Sequence, residues 1–286
     1  MSNTLEHIAS TYRQFPDLVK VIVLDGGAAH KCFRDRKCIK TKDHPLGIPA
    51  WKMFSFHFWS GPENPLGGAW TLSPEDWPHI NPHDTKVKDN FYLGYSVENT
   101  CKQIPMTPPD ERPLQAYVLA KQSRYFAHEK YSWANVDWAA PPAGLEELKL
   151  VAGIRSYDSD DKKSKVPLPG GITDLGLLNK TQFYHELGRS RVLIGIGSPA
   201  ASPSPYDAMC MGVPFINPVL RWDKAAPENR AKWGTQHDGL KYQMPPYVYN
   251  VKKGDKEGFW EAVKAAIDNP IERYGVHPRL EAWGSR

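Results

Sequence analysis

The chain has 286 residues, of which 41% are hydrophobic and 24% charged, and its formal net charge is +4. These values are ordinary for a soluble globular protein of one or two domains, and the 12% of aromatic residues excludes a disordered chain. The positive charge is mild and scattered, which argues against a nucleic-acid-binding protein. The 26 prolines and ten tryptophans predict long ordered loops around a packed core.

The cysteines and the apolar segments bound the class of protein further. Cys32, Cys38, Cys101 and Cys210 are too few for a disulfide scaffold and lack the spacing of zinc ligands. A pairing of Cys32 with Cys38 stays open. The sequence has no apolar run near the ~18 residues of a membrane span and no apolar signal core at its start. We therefore expect a soluble chain without a signal peptide or transmembrane segment.

The first part of the chain, to about residue 110, predicts two strands and much loop. The β-branched run at 19–25 predicts a buried strand that ends at Asp25 before a glycine pair, and 91–98 predicts another that ends at Glu98. Residues 40–90 are rich in Pro, Trp and His and show no periodicity, which predicts a long loop with a functional or covering role. Asp25 and Glu98 are weak candidates for a catalytic carboxylate, and either could equally be a loop cap.

The second part, 111–286, alternates strands with helices. The predicted elements are strands at 116–121, 148–154, 191–197, 214–218 and 247–251, and helices at 179–190 and 256–269. This alternation predicts a parallel α/β sheet. Ligands of such sheets bind beyond the carboxyl ends of the strands, so the loops after Ile154 and Gly197 are the expected binding loops.

The segment GIGSPA, residues 195–200, nominally fits the dinucleotide fingerprint GxGxx(G/A). That fingerprint needs a helix to begin at once, so that its N-terminus meets the pyrophosphate. Here Pro199, Pro203 and Pro205 delay the helix, and no acidic residue stands about 20 positions further on. A nicotinamide-dependent enzyme is therefore disfavoured.

The following segment, 202–218, predicts a short helix at a binding crevice. Pro205 suits its first turn and Gly212 its end. Asp207 would then face the crevice, where its carboxylate could accept two hydrogen bonds from a ribose diol while free N–H groups at the helix start face phosphate. The alternative, that Asp207 only complements the helix dipole, stays equally open.

Other catalytic patterns are weaker. The Asp158–Asp160 segment, DSD, resembles the metal-binding DxD of one class of glycosyltransferases, but its hydrophilic surroundings favour a solvated loop. The sequence has no GxSxG elbow for a serine nucleophile, and no His/Cys cluster has ligand spacing. We therefore expect no metal site.

Residues 195–218, GIGSPAASPSPYDAMCMGVPFINP, resemble the family 18 glycosyltransferases, the α-1,6-mannosylglycoprotein 6-β-N-acetylglucosaminyltransferases (N-acetylglucosaminyltransferase V). That family carries a strand and then GxGxPxxGPxPxEAxxxGxxFxxP. The positions that keep the pattern are Gly195, Gly197, Pro199, Pro203, Pro205, Ala208, Gly212, Phe215 and Pro218. Asp207 replaces the family's Glu, and Ala201-Ser202 replaces its Glu-Gly.

Further segments resemble the same family in the same order, from about residue 19 to 283. They are VIVLDGG, GPENPLGGAWTLSPEDW, FYLGYSVE, AYVLAKQSRYF, TQHDGLKYQMPPYVYNV and IERYGVHPRLEAW. The resemblance implies a GT-B fold of two Rossmann-like domains: a partial acceptor-side domain at 1–110 and a nucleotide-sugar donor domain at 111–286. The family's proposed base and its membrane anchor lie upstream of the matching strand, so the N-terminal domain is expected to be incomplete.

The resemblance also implies an activity and a donor site. The family transfers N-acetylglucosamine from UDP-GlcNAc to the 6-hydroxyl of an α-1,6-linked mannose on N-glycans, with inversion, without a metal or cofactor, at the Golgi membrane. The implied donor-binding residues are Gly195, Gly197, Ser198, Pro199, Ser204, Pro205, Tyr206, Asp207, Lys232, Gln236 and His237. Lys232 and Arg230 are alternatives for a donor-contacting lysine of the family.

A second hypothesis accounts for the same residues. A truncated, non-catalytic relative would bind nucleotide sugar or glycan only, and the expected absence of the upstream base favours it. Binding of UDP without transfer to an N-glycan acceptor would select it, whereas turnover would select the enzyme.

Overall fold

The computed structural model describes residues 3–58, 63–80, 88–94, 96–154 and 166–274. The chain divides into two compact units, Met1–Tyr95 (unit 1) and Ser96–Arg286 (unit 2). This division falls earlier than the predicted boundary near residue 110, so the intervening residues belong to unit 2 by their contacts. The assignment of an acceptor-side and a donor-binding domain stays a prediction.

Unit 1 is built on a parallel sheet in the order β1-β2-β3-β4. Its described elements are α1 (Asn3–Gln14), β1 (Ile22–Asp25), α2 (Gly26–Arg34), β2 (Met53–Phe56), β3 (Thr71–Ser73), α3 (Trp77–Ile80) and β4 (Phe91–Tyr92). The prediction of one long loop over 40–90 was wrong, because β2, β3 and α3 lie within it. Strands of three or four residues are too short to show an alternating pattern. The predicted strand at 91–98 is also shorter than expected.

The core of unit 1 joins α1 to the sheet. Leu5, Ala9 and Tyr12 recur at helical spacing and are buried against Ile22 and Leu24 of β1. The sequence analysis did not predict this helix. Cys32 and Cys38 form a disulfide of 2.04 Å at the end of α2, which resolves the pairing that the sequence left open.

Unit 2 contains the remaining elements. They are α4 (Glu98–Cys101), β5 (Gln115–Val118), α5 (Arg124–Ala127), β6 (Lys149–Ala152), β7 (Ile172–Asp174), α6 (Lys180–Arg189), β8 (Val192–Ile194), α7 (Ser204–Cys210), β9 (Phe215–Arg221), β10 (Gly234–Thr235), β11 (Val248–Lys252) and α8 (Lys256–Asp268). The parallel strands run in the order β7-β6-β5-β8-β9-β11, and β10 pairs antiparallel with β9. The predicted parallel α/β sheet is confirmed.

This order is that of a doubly wound sheet. Numbered by their place among the six parallel strands, the strands follow 3-2-1-4-5-6. The chain leaves the sheet centre at β5 in one direction and returns beside β5 at β8 to continue in the other. The crevice between the carboxyl ends of β5 and β8 is therefore the switch point at which such folds bind ligands.

Both long predicted helices of unit 2 form with the expected ends. Asn179 and Gln182 make a reciprocal capping box at the start of α6. Asp255 caps α8 through the Gly258 N–H at 2.9 Å. Phe259 and Val263 of α8 are buried in the core beneath the sheet, as their spacing predicts.

A second disulfide joins Cys101 of α4 to Cys210 at the end of α7. All four cysteines are thus paired. Two disulfides in a chain of this size are not a disulfide scaffold, in agreement with the sequence, but the Cys101–Cys210 pair was not predicted. Beside this link, the buried Arg112 side chain donates to the carbonyls of Met211 and Gly212 at 2.9 and 2.7 Å, which caps the end of α7. Among the described helices, none combines the length and apolar character needed to cross a bilayer.

Candidate functional site

The candidate site is the turn that follows β8 at the switch point, residues 195–203, here called the glycine turn. Gly195 extends the ladder by donating to Ile216 O at 2.9 Å. A Cβ at Gly195 would lie 2.5 Å from the Gln236 Oε1 atom, and one at Gly197 would lie 2.9 Å from Ser132 Oγ. Gly197 also has φ +94°, which favours glycine. Both glycines of the predicted motif are therefore required by the packing.

Gln236 holds the glycine turn in place. Its Oε1 accepts from Gly197 N at 2.7 Å, and its Nε2 donates to Pro199 O at 3.2 Å. Its backbone O accepts from Ala201 N at 2.9 Å. The residue is only 1% exposed. We predicted a donor contact for Gln236, whereas the structure shows that both ends of its amide are used inside the protein.

A second support comes from the segment after α5, which the sequence analysis missed. The Trp133 indole N–H donates to Gly195 O at 2.7 Å, and Ser132 N donates to Ile196 O at 3.2 Å. These contacts join residues more than 60 positions apart, and no local pattern around Trp133 signals them. The glycine turn is thus fixed from the β5 side as well as from Gln236.

The glycine turn keeps unused hydrogen-bond donors. Residues 197–204 are partly or fully exposed. In the part of the chain that the structure describes, the backbone N–H groups of Ser198, Ala200 and Ser202 make no hydrogen bond. An exposed turn with several unused N–H groups is suited to an anionic group such as a phosphate.

The start of α7 differs from the expectation. Pro205 lies in the first turn as predicted, and Gly212, at φ +70°, follows the helix end. However, Tyr206 N and Asp207 N both donate to Pro203 O, at 2.9 and 3.1 Å. Ser204 N lies 3.4 Å from Ser202 Oγ. The predicted free N–H groups at this helix start are therefore already engaged, and the unused donors lie earlier, in the glycine turn.

Asp207 is largely buried, with 8% exposure. Its Oδ1 accepts the Tyr184 hydroxyl at 2.5 Å. Burial raises the pKa of Asp207 to about 6, against the opposing effects of the Tyr184 hydrogen bond and the Lys180 charge. A contact to both hydroxyls of a ribose would have to compete with Tyr184 for Oδ1. The ribose role of Asp207 stays a prediction.

Tyr206 and His237 pack together behind the turn. Their rings meet edge to face with centroids 4.8 Å apart. His237 is 1% exposed, and burial lowers its pKa to about 4, so the imidazole is neutral near pH 7. Asn217 fixes the His237 backbone by accepting its N–H at 3.1 Å. Both residues therefore shape the site from inside, and a direct donor contact for either stays a prediction.

Of the two basic alternatives, Arg230 is tied down and Lys232 is exposed. The Arg230 guanidinium donates to Lys241 O at 3.1 Å and lies over the Trp233 ring. Lys232 ends a short turn at Arg230–Lys232 with its side chain in solvent. Lys232 is therefore the better placed of the two to meet an anionic ligand.

The two candidate carboxylates have structural contacts. Asp25 caps α2 by accepting from Ala28 N at 3.1 Å. The Glu98 Oε2 atom accepts from Lys102 Nζ at 2.7 Å, one turn along α4. The cap interpretation that the sequence left open is thus the observed one for Asp25. Neither carboxylate is assigned as a base.

The sequence predicts no metal site, and the residues on which this prediction depends lie partly outside the described ranges. Asp158–Asp160 lie outside the described residues. Within the described ranges, no three His, Cys, Asp or Glu side chains gather in a group that could hold a metal ion.

The chain belongs to glycosyltransferase family 18, because the sequence model of that family matches residues 31–278. A parallel α/β sheet in each unit confirms the predicted α/β fold class, and the GT-B type is the fold that membership in this family implies. Similar curated proteins include alpha-1,6-mannosylglycoprotein 6-beta-N-acetylglucosaminyltransferase A of Rattus norvegicus and of Homo sapiens, each 23% identical over 220 residues. The B enzyme of Homo sapiens is 20% identical over 216 residues.

These alignments cover 72% of this chain but only 27% of the A enzymes and 26% of the B enzyme. The chain thus spans about a quarter of the length of the curated relatives it matches. Among solved structures, the calicheamicin glycosyltransferase CalG4 aligns over 70% of this chain and 44% of its own, at 13% identity and a TM-score of 0.35. The kitacinnamycin glycotransferase aligns over 93% and 70%, at 13% identity and 0.45.

Proposed function

We propose that this chain binds the nucleotide sugar UDP-GlcNAc in unit 2, as part of an N-acetylglucosaminyltransferase that acts on N-glycans. The acceptor group would be the 6-hydroxyl of an α-1,6-linked mannose. The reaction would belong to protein N-linked glycosylation and would take place at the Golgi membrane. The observation that carries the proposal is the glycine turn. It lies at the switch point of a doubly wound sheet and is held from within by Gln236. Its unused N–H groups belong to residues that are partly or fully exposed.

The turn suits the diphosphate part of the donor. The backbone N–H groups of Ser198, Ala200 and Ser202 can donate to phosphate oxygens without breaking a contact of Gln236. The hydrogen bonds of Gln236 to the turn go to the residues between and before them, at positions 197, 199 and 201. Lys232 would add a positive charge that stabilises the departing UDP. No metal ion or cofactor is needed for this part of the proposal.

The transfer itself would proceed with inversion at the anomeric carbon. The mannose 6-hydroxyl would attack that carbon as its bond to UDP breaks, and a carboxylate would accept the hydroxyl proton. The contacts of Asp25 and Glu98 leave this carboxylate unassigned. Unit 2 would contribute donor binding and stabilisation of the leaving group.

The donor proposal is tested by titrating UDP and UDP-GlcNAc into the protein in a calorimeter. Asp207→Ala is expected to weaken UDP binding by ~1–3 kcal/mol, the scale of a lost hydrogen bond to a charged group. Lys232→Gln is expected to have a smaller effect, because an exposed charge is screened by solvent. Lys256→Gln, an exposed lysine at the start of α8, is the control. An unchanged UDP affinity in Asp207→Ala would remove the ribose role, and no UDP binding by the wild type would end the proposal.

A second candidate is a non-catalytic protein that binds nucleotide sugar or glycan only. The observation that favours it is the engagement of both candidate carboxylates, in a helix cap and an ion pair. A turnover assay with UDP-GlcNAc and a biantennary N-glycan separates the two candidates. Transfer supports the enzyme, and UDP binding without transfer supports the binding protein.

A further inference from the structure

The net charge of the chain is concentrated in one segment of unit 1. Residues 31–43, KCFRDRKCIKTKD, hold six of the 36 basic side chains and two of the 32 acidic ones. The rest of the chain therefore carries 30 of each and has no net charge. The prediction that the positive charge is scattered was therefore wrong, because the excess of basic over acidic side chains lies within residues 31–43. We call residues 31–43 the basic clip.

The basic clip has a fixed backbone. The Cys32–Cys38 disulfide closes it at the end of α2. Asp35 ties the turn between the two cysteines, because its Oδ1 accepts from Lys37 N at 2.8 Å. Lys40 N then donates to Ile48 O at 2.8 Å and Ile48 N to Cys38 O at 2.9 Å. The basic side chains are thus attached to an ordered backbone, so the binding of a partner would not have to order that backbone first.

All the basic side chains of the clip are exposed. They are Lys31, Arg34, Arg36, Lys37, Lys40 and Lys42. In the ranges that the structure describes, none of them makes an ion pair or a side-chain hydrogen bond. Six like charges within one short segment of chain repel one another, and they gain most from a partner with several negative charges.

We propose that the basic clip is a docking surface for a polyanionic glycan, one that carries sulfate or phosphate esters. Two disulfides are typical of a chain that folds on the oxidising side of a membrane, and the proposal takes this as the setting. Nucleic acids are concentrated on the other side of that membrane, and the anionic phospholipids are concentrated in the opposite, cytoplasmic leaflet. Acidic glycans are the polyanions that this side offers. The proposal does not depend on the donor site, which lies in unit 2.

The test measures binding of the whole chain to immobilised heparin and to a phosphorylated mannan, with de-sulfated heparin, which keeps only its uronate carboxylates, as the counterpart of lower charge. The clip variant is Lys31→Gln, Arg34→Gln, Lys40→Gln and Lys42→Gln. The control variant neutralises four exposed lysines elsewhere: Lys20→Gln, Lys149→Gln, Lys224→Gln and Lys256→Gln. The two variants have the same net charge, so any difference between them reports position and not total charge.

The clip variant is expected to bind heparin or the mannan about 10-fold or more weakly than the control, and its plot of log Kd against log salt should be shallower by about 3. De-sulfated heparin, which has fewer negative charges, should bind both variants more weakly than heparin does. Asp43→Asn, which removes one negative charge from the clip at an exposed side chain, should elute at higher salt than the wild type. This gain does not depend on the folding of the clip variant.

Equal heparin and mannan affinities of the clip and control variants would overturn the proposal. So would binding to vesicles that contain phosphatidylserine without binding to either acidic glycan, which would assign the clip to a membrane surface. Thermal unfolding of each variant is recorded in parallel. UDP binding is measured on the same samples, so that loss of the glycan site and loss of the donor site are told apart.

Discussion

Two strands in this protein are each followed by two glycines, and the two turns differ in which of their polar groups stay without a hydrogen bond. After β1 in unit 1, Asp25 is followed at once by α2, and the Asp25 carboxylate accepts from Ala28 N. After β8 in unit 2, the glycine turn runs for nine residues before α7 begins at Ser204. Its polar groups are held by Gln236, a residue distant in the sequence.

The difference concerns where the polar groups of each turn are satisfied. The β1 turn uses its own carboxylate as a helix cap, so its chemistry is local and structural. The glycine turn receives its support from behind, which leaves the N–H groups of Ser198, Ala200 and Ser202 without an acceptor in the described part of the chain. A strand that ends in glycines is therefore not enough to identify a binding turn. Which N–H groups stay available to a ligand depends on the residue that supports the turn.

The comparison is tested most directly by removing the Gln236 side chain, the clamp that holds the glycine turn in place. Gln236→Ala takes away two side-chain hydrogen bonds and leaves Gly197 N unpaired next to a void, which should lower the free energy of unfolding by ~2–4 kcal/mol. UDP affinity should fall with it, because the turn loses its fixed shape. The measurements are urea unfolding and UDP titration.

The matched control for that variant is Gln182→Ala, which removes an exposed glutamine of the α6 capping box. It should cost less than about 1 kcal/mol and leave UDP binding unchanged. If Gln236→Ala unfolds no more easily than Gln182→Ala, the clamp interpretation is wrong. If its stability falls while its UDP affinity is retained, the glycine turn is not the UDP site.

Replacing one glycine in each turn by alanine tests the comparison further. Gly197→Ala puts a Cβ at φ +94° and 2.9 Å from Ser132 Oγ, which should cost ~1–3 kcal/mol. Gly27→Ala sits in the first turn of α2 with only the exposed Asp25 carboxylate nearby, at 3.2 Å. Its cost should be smaller, because alanine favours helix over glycine. Thermal unfolding of both variants shows which loses more stability. A larger loss in Gly27→Ala than in Gly197→Ala would contradict the strain expected at Gly197.

The sequence predicted most of the sheet of unit 2 and little of unit 1. The strands at 191–197 and 247–251 and the helix at 179–190 were all found within a few residues of their predicted bounds. Their apolar runs are bounded by clear turn and cap residues. In unit 1, β3 has three residues and β4 has two. Strands of that length form because neighbours pair with them, and this information is not local.

The site was predicted in position more than in detail. The glycines, Pro205 and the end of α7 at Gly212 follow from local backbone requirements, which a sequence shows directly. The role of Gln236 depends on a contact across 39 positions, and that of Trp133 on one across 62. The burial of Asp207 depends on Tyr184 of another helix. Such contacts come from the tertiary fold, so single-sequence reasoning named some of the residues but missed what they touch.

The smallest expected effect concerns pH. Because burial raises the pKa of Asp207 to about 6, the charged form that would bind a ribose is present above that value and is lost as the pH falls through it. UDP-GlcNAc affinity should therefore fall several-fold between pH 7 and pH 5. This donor is preferable to UDP, because it has no terminal phosphate that titrates in the same range.

The stability of the fold should respond to pH in the opposite direction at this residue. Between about pH 6 and pH 4 the folded state binds a proton at Asp207 that the unfolded chain does not, so the contribution of Asp207 to the free energy of unfolding rises as the pH falls. Asp207→Asn should remove both trends. Tyr184→Phe should move the binding midpoint to higher pH, because the Tyr184 hydroxyl stabilises the carboxylate. Binding that is independent of pH in the wild type, or that keeps its full pH dependence in Asp207→Asn, would show that this carboxylate does not meet the donor.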